Sequence, residues 1–533
     1  MEPRTDPHAQ PAPTGDPARL DDELREACGV FGIYAPGQSV AHLTYLGMFA
    51  LQHRGQEAAG MSVSDGTELI TVKDNGLVSS VFDDRVLNGL PGHLAIGHDR
   101  YSTTGASVWQ NAQPVTREAA GHQIALGHNG NLVNTAELAE DLGMLPGTGA
   151  VTSDSDLVAE MVARNLERSD HDRSDDRDLE HALLEVLPKL RGAFSMVIMD
   201  EAHVVGVRDP HGFRPLCLGR LETGWVLASE TPALDLIGAH FVRELEPGEM
   251  VIIDATGCRS VRAFPAEDVD PNLCLFEFVY FARPDSNLYG KNVHQARVRM
   301  GEQLAEQAPV DADMVMGVPE SGVPAAEGYA LRSGIPSGHG LVKNRYIGRS
   351  FIVPTQQARE AAVRMKLNPL KENLQGKRLV VVDDTIVRGT TQRTLTQMLR
   401  EAGATEVHLR ISAPPVMWSC FYGIDTGVRS ELLAANLDLE EIRNYLEVDS
   451  IAYLSLDRLI TATGTPNSGF CDACFTGDYP VDIPVSIGKG MLEDVNARSA
   501  DEPIGGIAAA VARGAGAARA DDAASAGQLP FEG

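Results

Sequence analysis

The stretch Arg378-Leu379-Val380-Val381-Val382-Asp383-Asp384 constrains the fold more than any other part of the chain. An apolar run without polar alternation belongs to a strand covered on both faces, as in a parallel sheet. It ends in two acids, and Thr385-Ile386-Val387-Arg388-Gly389-Thr390 then forms a Thr- and Gly-rich turn before a predicted helix over Thr391 to Ala402. This order brings two carboxylates to the C-terminal edge of a sheet and sets a helix N-terminus beside them. Backbone N–H groups, hydroxyls and the helix dipole favour a phosphate at such a point. Acids facing that phosphate would repel it, so Asp383 and Asp384 are expected on sugar hydroxyls.

At 533 residues the chain is too long for one core, and two large domains fit best. Residues 1–27 are polar, with Pro, Asp, Glu and Arg and no apolar segment of a secretory signal, so they read as a tail or pro-segment. Residues 28–265 show short β-rich runs, such as Leu94 to Ser102 and Phe194 to Met199, with Gly-containing turns between them. One amphipathic helix follows Ser153, with Leu157, Val158, Met161, Val162 and Leu166 at helical spacing, and Arg168 to Asp178 reads as a loop. Residues 266–495 carry strand, Gly-rich turn and helix in α/β order, including a helix near Ala325 to Arg332. Residues 496–533, rich in Ala and Gly, are expected to be a disordered tail.

A net charge of −29 argues against a nucleic-acid partner, because phosphate neutralisation needs a basic surface. No run of 18 or more apolar residues could cross a bilayer, so no membrane partner is expected and the cytoplasm is the expected location. Seven cysteines, an odd number, suggest thiol chemistry or metal ligation more than a disulfide framework.

Four motifs lie in order in the first half: Cys28-Gly29-Val30-Phe31-Gly32-Ile33, His98-Asp99-Arg100-Tyr101-Ser102-Thr103-Thr104-Gly105, Gly127-His128-Asn129-Gly130-Asn131 and Thr152-Ser153-Asp154-Ser155-Asp156. Taken singly they read as a buried cysteine, a surface ion pair, a tight turn and a helix cap. Together they resemble the class II glutamine amidotransferases, which are N-terminal nucleophile hydrolases of αββα sandwich fold. The resemblance implies that the pro-segment is removed and that Cys28, as the new first residue, is the nucleophile. A free α-amine titrates near ~7.7–8.0 and can act as a base beside its own thiol. It also implies that Asn129 and Gly130 form the oxyanion hole, while Arg100, Thr103 and Asp154 bind glutamine, Arg100 gripping the carboxylate with its planar fork. Two residues depart from the family pattern. Asp99 stands where a neutral residue is usual, and Asp156 replaces a common Glu. Strand alternation points Asp99 away from the Arg100 face.

A strand ending in Asp-Asp also occurs in response regulators and metal phosphatases, but the loop after it resembles the signature of type I phosphoribosyltransferases. In that light Asp383 and Asp384 hold ribose, and Thr385, Arg388, Gly389 and Thr390 hold the 5′-phosphate. Glu320, Ser321 and Gly322, within Gly317-Val318-Pro319-Glu320-Ser321-Gly322-Val323-Pro324, resemble the pyrophosphate loop. Lys343 and Arg349, with Lys366 beyond, resemble the basic loop that closes over the substrate. Glucosamine-6-phosphate synthase, asparagine synthetase and glutamate synthase share the first half only. The two halves together resemble the amidophosphoribosyltransferase family, whose members move ammonia from glutamine to C1 of phosphoribosyl pyrophosphate (PRPP), giving 5-phosphoribosylamine at the first committed step of purine (IMP) synthesis. One Mg²⁺ per subunit on Ser321, Asp383 and Asp384, feedback inhibition by purine nucleotides and a homotetramer are further implications. Two rivals are a ligand-binding regulator that has lost catalysis and a glutaminase serving another acceptor.

Cys471-Asp472-Ala473-Cys474 is a two-thiolate pair that needs further ligands to hold zinc or an iron–sulfur cluster. Cys274 and Cys420 match the positions used with this pair in the iron–sulfur branch of the resembled family, which implies one [4Fe–4S] cluster per subunit. Cys217 and Cys258 are assigned to packing.

Overall fold

The computed structural model describes residues 28–101, 109–144, 151–168, 177–344, 363–424, 426, 428–465 and 469–484. The first half contains strands β1 (Gly29–Tyr34), β2 (Ala58–Ser64), β3 (Leu69–Asn75), β4 (Leu94–Arg100), β5 (Val115–Ala119), β6 (His122–Leu132), β7 (Gly192–Met199), β8 (Val204–Arg208), β9 (Cys217–Arg220), β10 (Trp225–Ala228), β11 (His240–Glu244), β12 (Glu249–Asp254) and β13 (Gly257–Arg262). They form two antiparallel sheets, one ordered β11-β9-β10-β1-β4-β2-β3 and the other β13-β12-β8-β7-β6-β5.

The inner faces meet through Val30, Leu94, Ile96, Val197, Val204, Leu227 and Ile253. Helix Val40–Leu51 covers the outside of the first sheet. Helices Asp154–Arg168 and Asp178–Val186 cover the second, so the layers run α, β, β, α as expected. Ser153 caps the first of these, its hydroxyl accepting from Asp156 N–H at 3.1 Å. Strands buried on both faces explain why the periodicity of this half is weak.

The second half is built on a parallel sheet of Met314–Gly317, Arg378–Asp383, Glu406–Ile411 and Ser450–Tyr453. Within the predicted strand Val380 and Val382 face helices Val293–Gln307 and Val323–Ser333, while Leu379 and Val381 face helices Thr390–Glu401 and Leu439–Leu446. Both faces are dry, which is why no polar residue interrupts the run.

Several boundaries differ from expectation. β4 stops at Arg100, two residues short of Ser102. The helix after the acids begins at Thr390 because Gly389, at φ +81°, ends the turn one residue earlier than predicted. Arg168 and Asp178, the ends of the expected loop, are helical, and residues 169–176 between them lie outside the described residues. The pro-segment 1–27 and the tail 496–533 lie outside the described residues, as do Thr103 and Arg349.

Candidate active sites and the thiol cavity

β1 pairs with β4 so that Gly29 stands opposite Asp99, which sets Cys28 against the chain leaving β4. The Cys28 thiol donates to Tyr101 O at 3.3 Å and accepts from Tyr101 N–H at 3.4 Å. Burial pushes this thiol up to about 11, against smaller downward pulls from the Tyr101 hydrogen bond and the Arg100 guanidinium. Arg100, buried at the end of β4, and Asp154, at the start of its helix, are thus both within electrostatic reach of the sulfur.

Opposite them runs β6, with Asn129, Gly130 and Asn131. Asn129 is fully buried, and neither its side-chain oxygen nor its side-chain nitrogen meets a protein partner. A buried amide left unmatched in a dry site is poised for a ligand. Asp154 accepts from Leu132 N–H at 3.2 Å and Ser155 N–H at 2.8 Å. Burial opposes its charge, but His128 and these donors outweigh that and hold the carboxyl below its ordinary value. Asp156, the second departure, pairs with Arg117 and accepts from Thr152 N–H at 3.2 Å, so the shorter acid is accommodated. Structure therefore brings Cys28, Arg100, Asn129, Gly130 and Asp154 to one end of the sandwich.

Asp99 behaves as alternation predicts: Gly97, on its face of β4, looks toward Thr44 and Met48 of helix Val40–Leu51, while His98 reaches the other way to His128 O at 3.0 Å. It is fully buried, neither carboxyl oxygen meets a protein donor, and burial holds it well above the ordinary carboxylate range. An acid raised on folding weakens the fold as pH climbs from the unfolded value of ~3.9 toward the folded one, because the unfolded chain releases its proton first. Asp99→Val should raise stability at neutral pH by about 1–3 kcal/mol and remove that part of the pH slope, as denaturant melts at several pH values would register.

In the second half Asp383 ends its strand and Asp384 follows. Asp383 accepts from Asp384 N–H at 3.0 Å and from the Gln392 side-chain amide, and Asp384 accepts from Thr385 Oγ at 2.6 Å and from Ser321. Gly322 lies so close to the acid strand that a Cβ there would stand 2.3 Å from Val382 O and 3.1 Å from Asp383 Cα. The loop holding Glu320, Ser321 and Gly322 therefore abuts the two acids. Gly389 is equally confined, a Cβ meeting Leu433 at 2.7 Å, and Thr390 opens the helix behind it. Arg388 is engaged with Glu431 at 2.8 Å. Lys343 ends strand Leu341–Lys343, which pairs with Leu367–Pro369, and Asn344 N–H donates to Lys366 O at 2.8 Å, so Lys343 and Lys366 flank the same chain entry and exit.

Among the described residues no three His, Cys, Asp or Glu side chains converge on a single metal ion. Ser321, Asp383 and Asp384 offer oxygen donors of the kind magnesium takes, one or two carboxylates with water and substrate phosphate completing its shell. Cys274, Cys420, Cys471 and Cys474 nevertheless line one cavity, together with Arg214 and Tyr422. Short strands Leu273–Cys274 and Phe470–Cys471 pair in parallel and set the two cysteines side by side. Cys217 is buried with its thiol on Ala228 O, and Cys258 is half-buried against the inter-sheet core, consistent with packing roles.

Sequence reasoning missed a buried charge chain between the halves. Arg214 donates to Glu277 at 3.2 Å, Glu277 accepts from Arg54 at 2.7 Å, and Arg54 meets Glu230, which also takes His53 at 2.6 Å and Arg283 N–H at 2.9 Å. The available signal was Glu277 itself, a lone acid in Leu275-Phe276-Glu277-Phe278-Val279-Tyr280-Phe281, which forms one π-helical turn.

Two domain families match: a glutamine amidotransferase domain over residues 98–236 and a phosphoribosyl transferase domain over 290–413. The chain is a glutamine amidotransferase joined to a phosphoribosyltransferase. It is 53% identical to the amidophosphoribosyltransferase of Mycobacterium bovis, over 89% of this chain and 91% of that one, and 42% identical to that of Methanothermobacter thermautotrophicus, over 88% and 98%. A solved glutamine PRPP amidotransferase from B. subtilis, complexed with ADP and GMP, superposes with TM-score 0.79 at 43% identity, covering 87% of this chain and all of its own. A structure described as the allosteric regulatory enzyme of purine biosynthesis gives the same score and identity over 89% of this chain. This chain belongs to the amidophosphoribosyltransferase family. Among the described residues no helix is long and apolar enough to cross a membrane.

Proposed function

We propose that the two sites act in sequence on glutamine and PRPP, and that the residues gathered at each carry the roles the resemblance implies. Once residues 1–27 are removed, the Cys28 α-amine takes the thiol proton and sulfur attacks the glutamine carboxamide carbon. The Asn129 side-chain amide and the Gly130 N–H donate hydrogen bonds to the negative oxygen of the tetrahedral intermediate. The C–N bond breaks as ammonia leaves with the proton from the α-ammonium, and water then cleaves the thioester to glutamate. Arg100, Thr103 and Asp154 orient the amino acid through its carboxylate and ammonium. The observation that carries this half is the buried, unmatched Asn129 amide across from a thiol within reach of Arg100 and Asp154.

In the second site Asp383 and Asp384 hold the ribose hydroxyls, while Thr385, Gly389, Thr390 and Arg388 take the 5′-phosphate, Arg388 exchanging Glu431 for it. Glu320, Ser321 and Gly322 border the pyrophosphate, and Lys343, Arg349 and Lys366 offset its charge as ammonia forms its bond to C1. Asp383, Asp384 and Ser321 would hold one Mg²⁺, which supplies Lewis-acid stabilisation of the diphosphate. The product is 5-phosphoribosylamine at the entry to purine synthesis. The ADP and GMP bound by the B. subtilis relative support feedback inhibition by purine nucleotides. Incubating purified enzyme with both substrates should yield glutamate and pyrophosphate together, and its intact mass should begin at Cys28. Glutamate without pyrophosphate would direct the ammonia to another acceptor.

The four cysteines that line one cavity are the donor set of a [4Fe–4S] cluster, each thiolate taking its own iron. Zinc would use the same four thiolates. Arg214 beside them offsets an anionic group. Protein purified without oxygen should be brown and yield iron and sulfide in about equal amounts. Cys471→Ser should lose both and Cys258→Ser should keep them; colourless protein with stoichiometric zinc would overturn the cluster alone.

A further inference from the structure

The segment Cys420-Phe421-Tyr422-Gly423 belongs to the transferase half but lies against the C-terminal end of β6. Asn131 Nδ2 donates to Phe421 O at 2.9 Å, across 290 positions of sequence. Gly423, at φ +102°, approaches Gly130 so closely that a Cβ would stand 3.1 Å from Gly130 C, 3.2 Å from its Cα and 3.3 Å from Arg214 Nη2. The segment is itself held from behind. Arg214 Nη2 donates to Tyr422 O at 3.0 Å, the Tyr422 ring stacks on Phe213 with centroids 4.4 Å apart, and the Tyr422 hydroxyl donates to Val481 O at 2.7 Å.

We propose that this transferase segment is the backing of the glutaminase oxyanion hole, and that Asn131 is the positioning residue that joins the two. The inference rests on Asn129 and Gly130 being the oxyanion donors. Such donors act only within a few tenths of an ångström of the developing charge, and displacements near 1 Å cost about a hundredfold. Gly130 itself cannot be braced by a side chain, because a Cβ on it would lie 2.0 Å from Ala193 O. Its outer surface is instead braced by a second backbone, at a contact only glycine at 423 permits. Asn131 supplies a directional bond from β6 itself to this segment, and so orients β6 against it. The glutaminase hole is in this sense completed by the other domain.

The test uses the full-length processed enzyme. Asn131→Asp keeps the shape but removes the donor, Asn131→Ala removes both, and Gly423→Ala presses on Gly130 from the other side. Each should lower kcat for glutamine hydrolysis by about tenfold or more with KM for glutamine little changed. Ammonia-dependent synthesis should stay at the parent value in all three, and the thermal midpoint should stay near it in the Asn131 variants, whereas Gly423→Ala should lower the midpoint because of its positive φ. Asn129→Ala is the companion measurement: if it spares glutamine hydrolysis, the oxyanion assignment itself fails. If Asn129→Ala is impaired while the Asn131 and Gly423 variants hydrolyse glutamine normally, or lose both activities in parallel, the backing role is overturned.

Discussion

Replacing Cys28 with Ala is expected to reduce glutamine-dependent synthesis by roughly 10⁴-fold or more while leaving synthesis from concentrated ammonia largely intact. The thiol, hydrogen-bonded at Tyr101 and within electrostatic reach of Arg100, is the group proposed to form the acyl intermediate, and water cannot replace it without its own base. Alanine at this position removes one sulfur from a site already enclosed, so the transferase sheet, built from residues beyond 313, is not disturbed. Asp383→Asn combined with Asp384→Asn should behave differently. Both nitrogen sources should then fail together, because the proposed ribose grip and magnesium site would serve each. Assaying the two variants with glutamine and with ammonia separates the sites in four measurements. A Cys28→Ala enzyme that still used glutamine would refute the nucleophile.

Glu277→Ala should destabilise the protein by about 3–5 kcal/mol, the cost of leaving buried charge without its partner. Arg54, Arg214 and Glu277 are all fully buried, and the two guanidiniums share this one carboxylate. Arg54 retains Glu230, while the other terminal nitrogen of Arg214 donates to the neutral carbonyl of Tyr422. Denaturant unfolding of the variant should show the loss, with little relief from added salt because the site is dry. Acid should act on the same chain. Burial opposes charge on Glu230, but Arg54 and His53 outweigh it and hold the carboxyl well below its ordinary value. Its share of stability is present above the unfolded value of ~4.3 and is lost as pH falls through the lower folded value.

The elements legible from sequence were those whose chemistry is local. The run from Leu379 to Val382 could only be a strand covered on both faces, and Asp383, Gly389 and Thr390 take their places because a turn and a helix start follow directly. The motifs around Cys28, Arg100, Asn129 and Asp154 were readable only through their joint resemblance to the glutamine amidotransferases, since each alone has a bland reading; the Asn129-Gly130 pair, which alone reads as a tight turn, lies within β6. What could not be read was contact between distant stretches. Nothing near Asn131 announces Phe421, and nothing near Arg54 announces Glu277, because a hydrogen bond across 290 or 223 positions leaves no periodicity in either partner. Asp99 was readable as to its face, but the lack of any donor around it depends on helix Val40–Leu51 closing over it.

The chain Arg214, Glu277, Arg54 and Glu230 also bears on how such enzymes can be recombined. A glutaminase module grafted onto a different synthase would carry Arg54, Glu230 and Arg214 with it and leave Glu277 behind, so the graft would arrive with Arg54 held by Glu230 alone and Arg214 without its carboxylate. Cutting the two halves apart would expose the same mismatch on the donor side. A working chimera would have to transplant the aromatic turn around Glu277 as well, which makes the inheritable unit larger than the catalytic domain and sets its seam beyond residue 281.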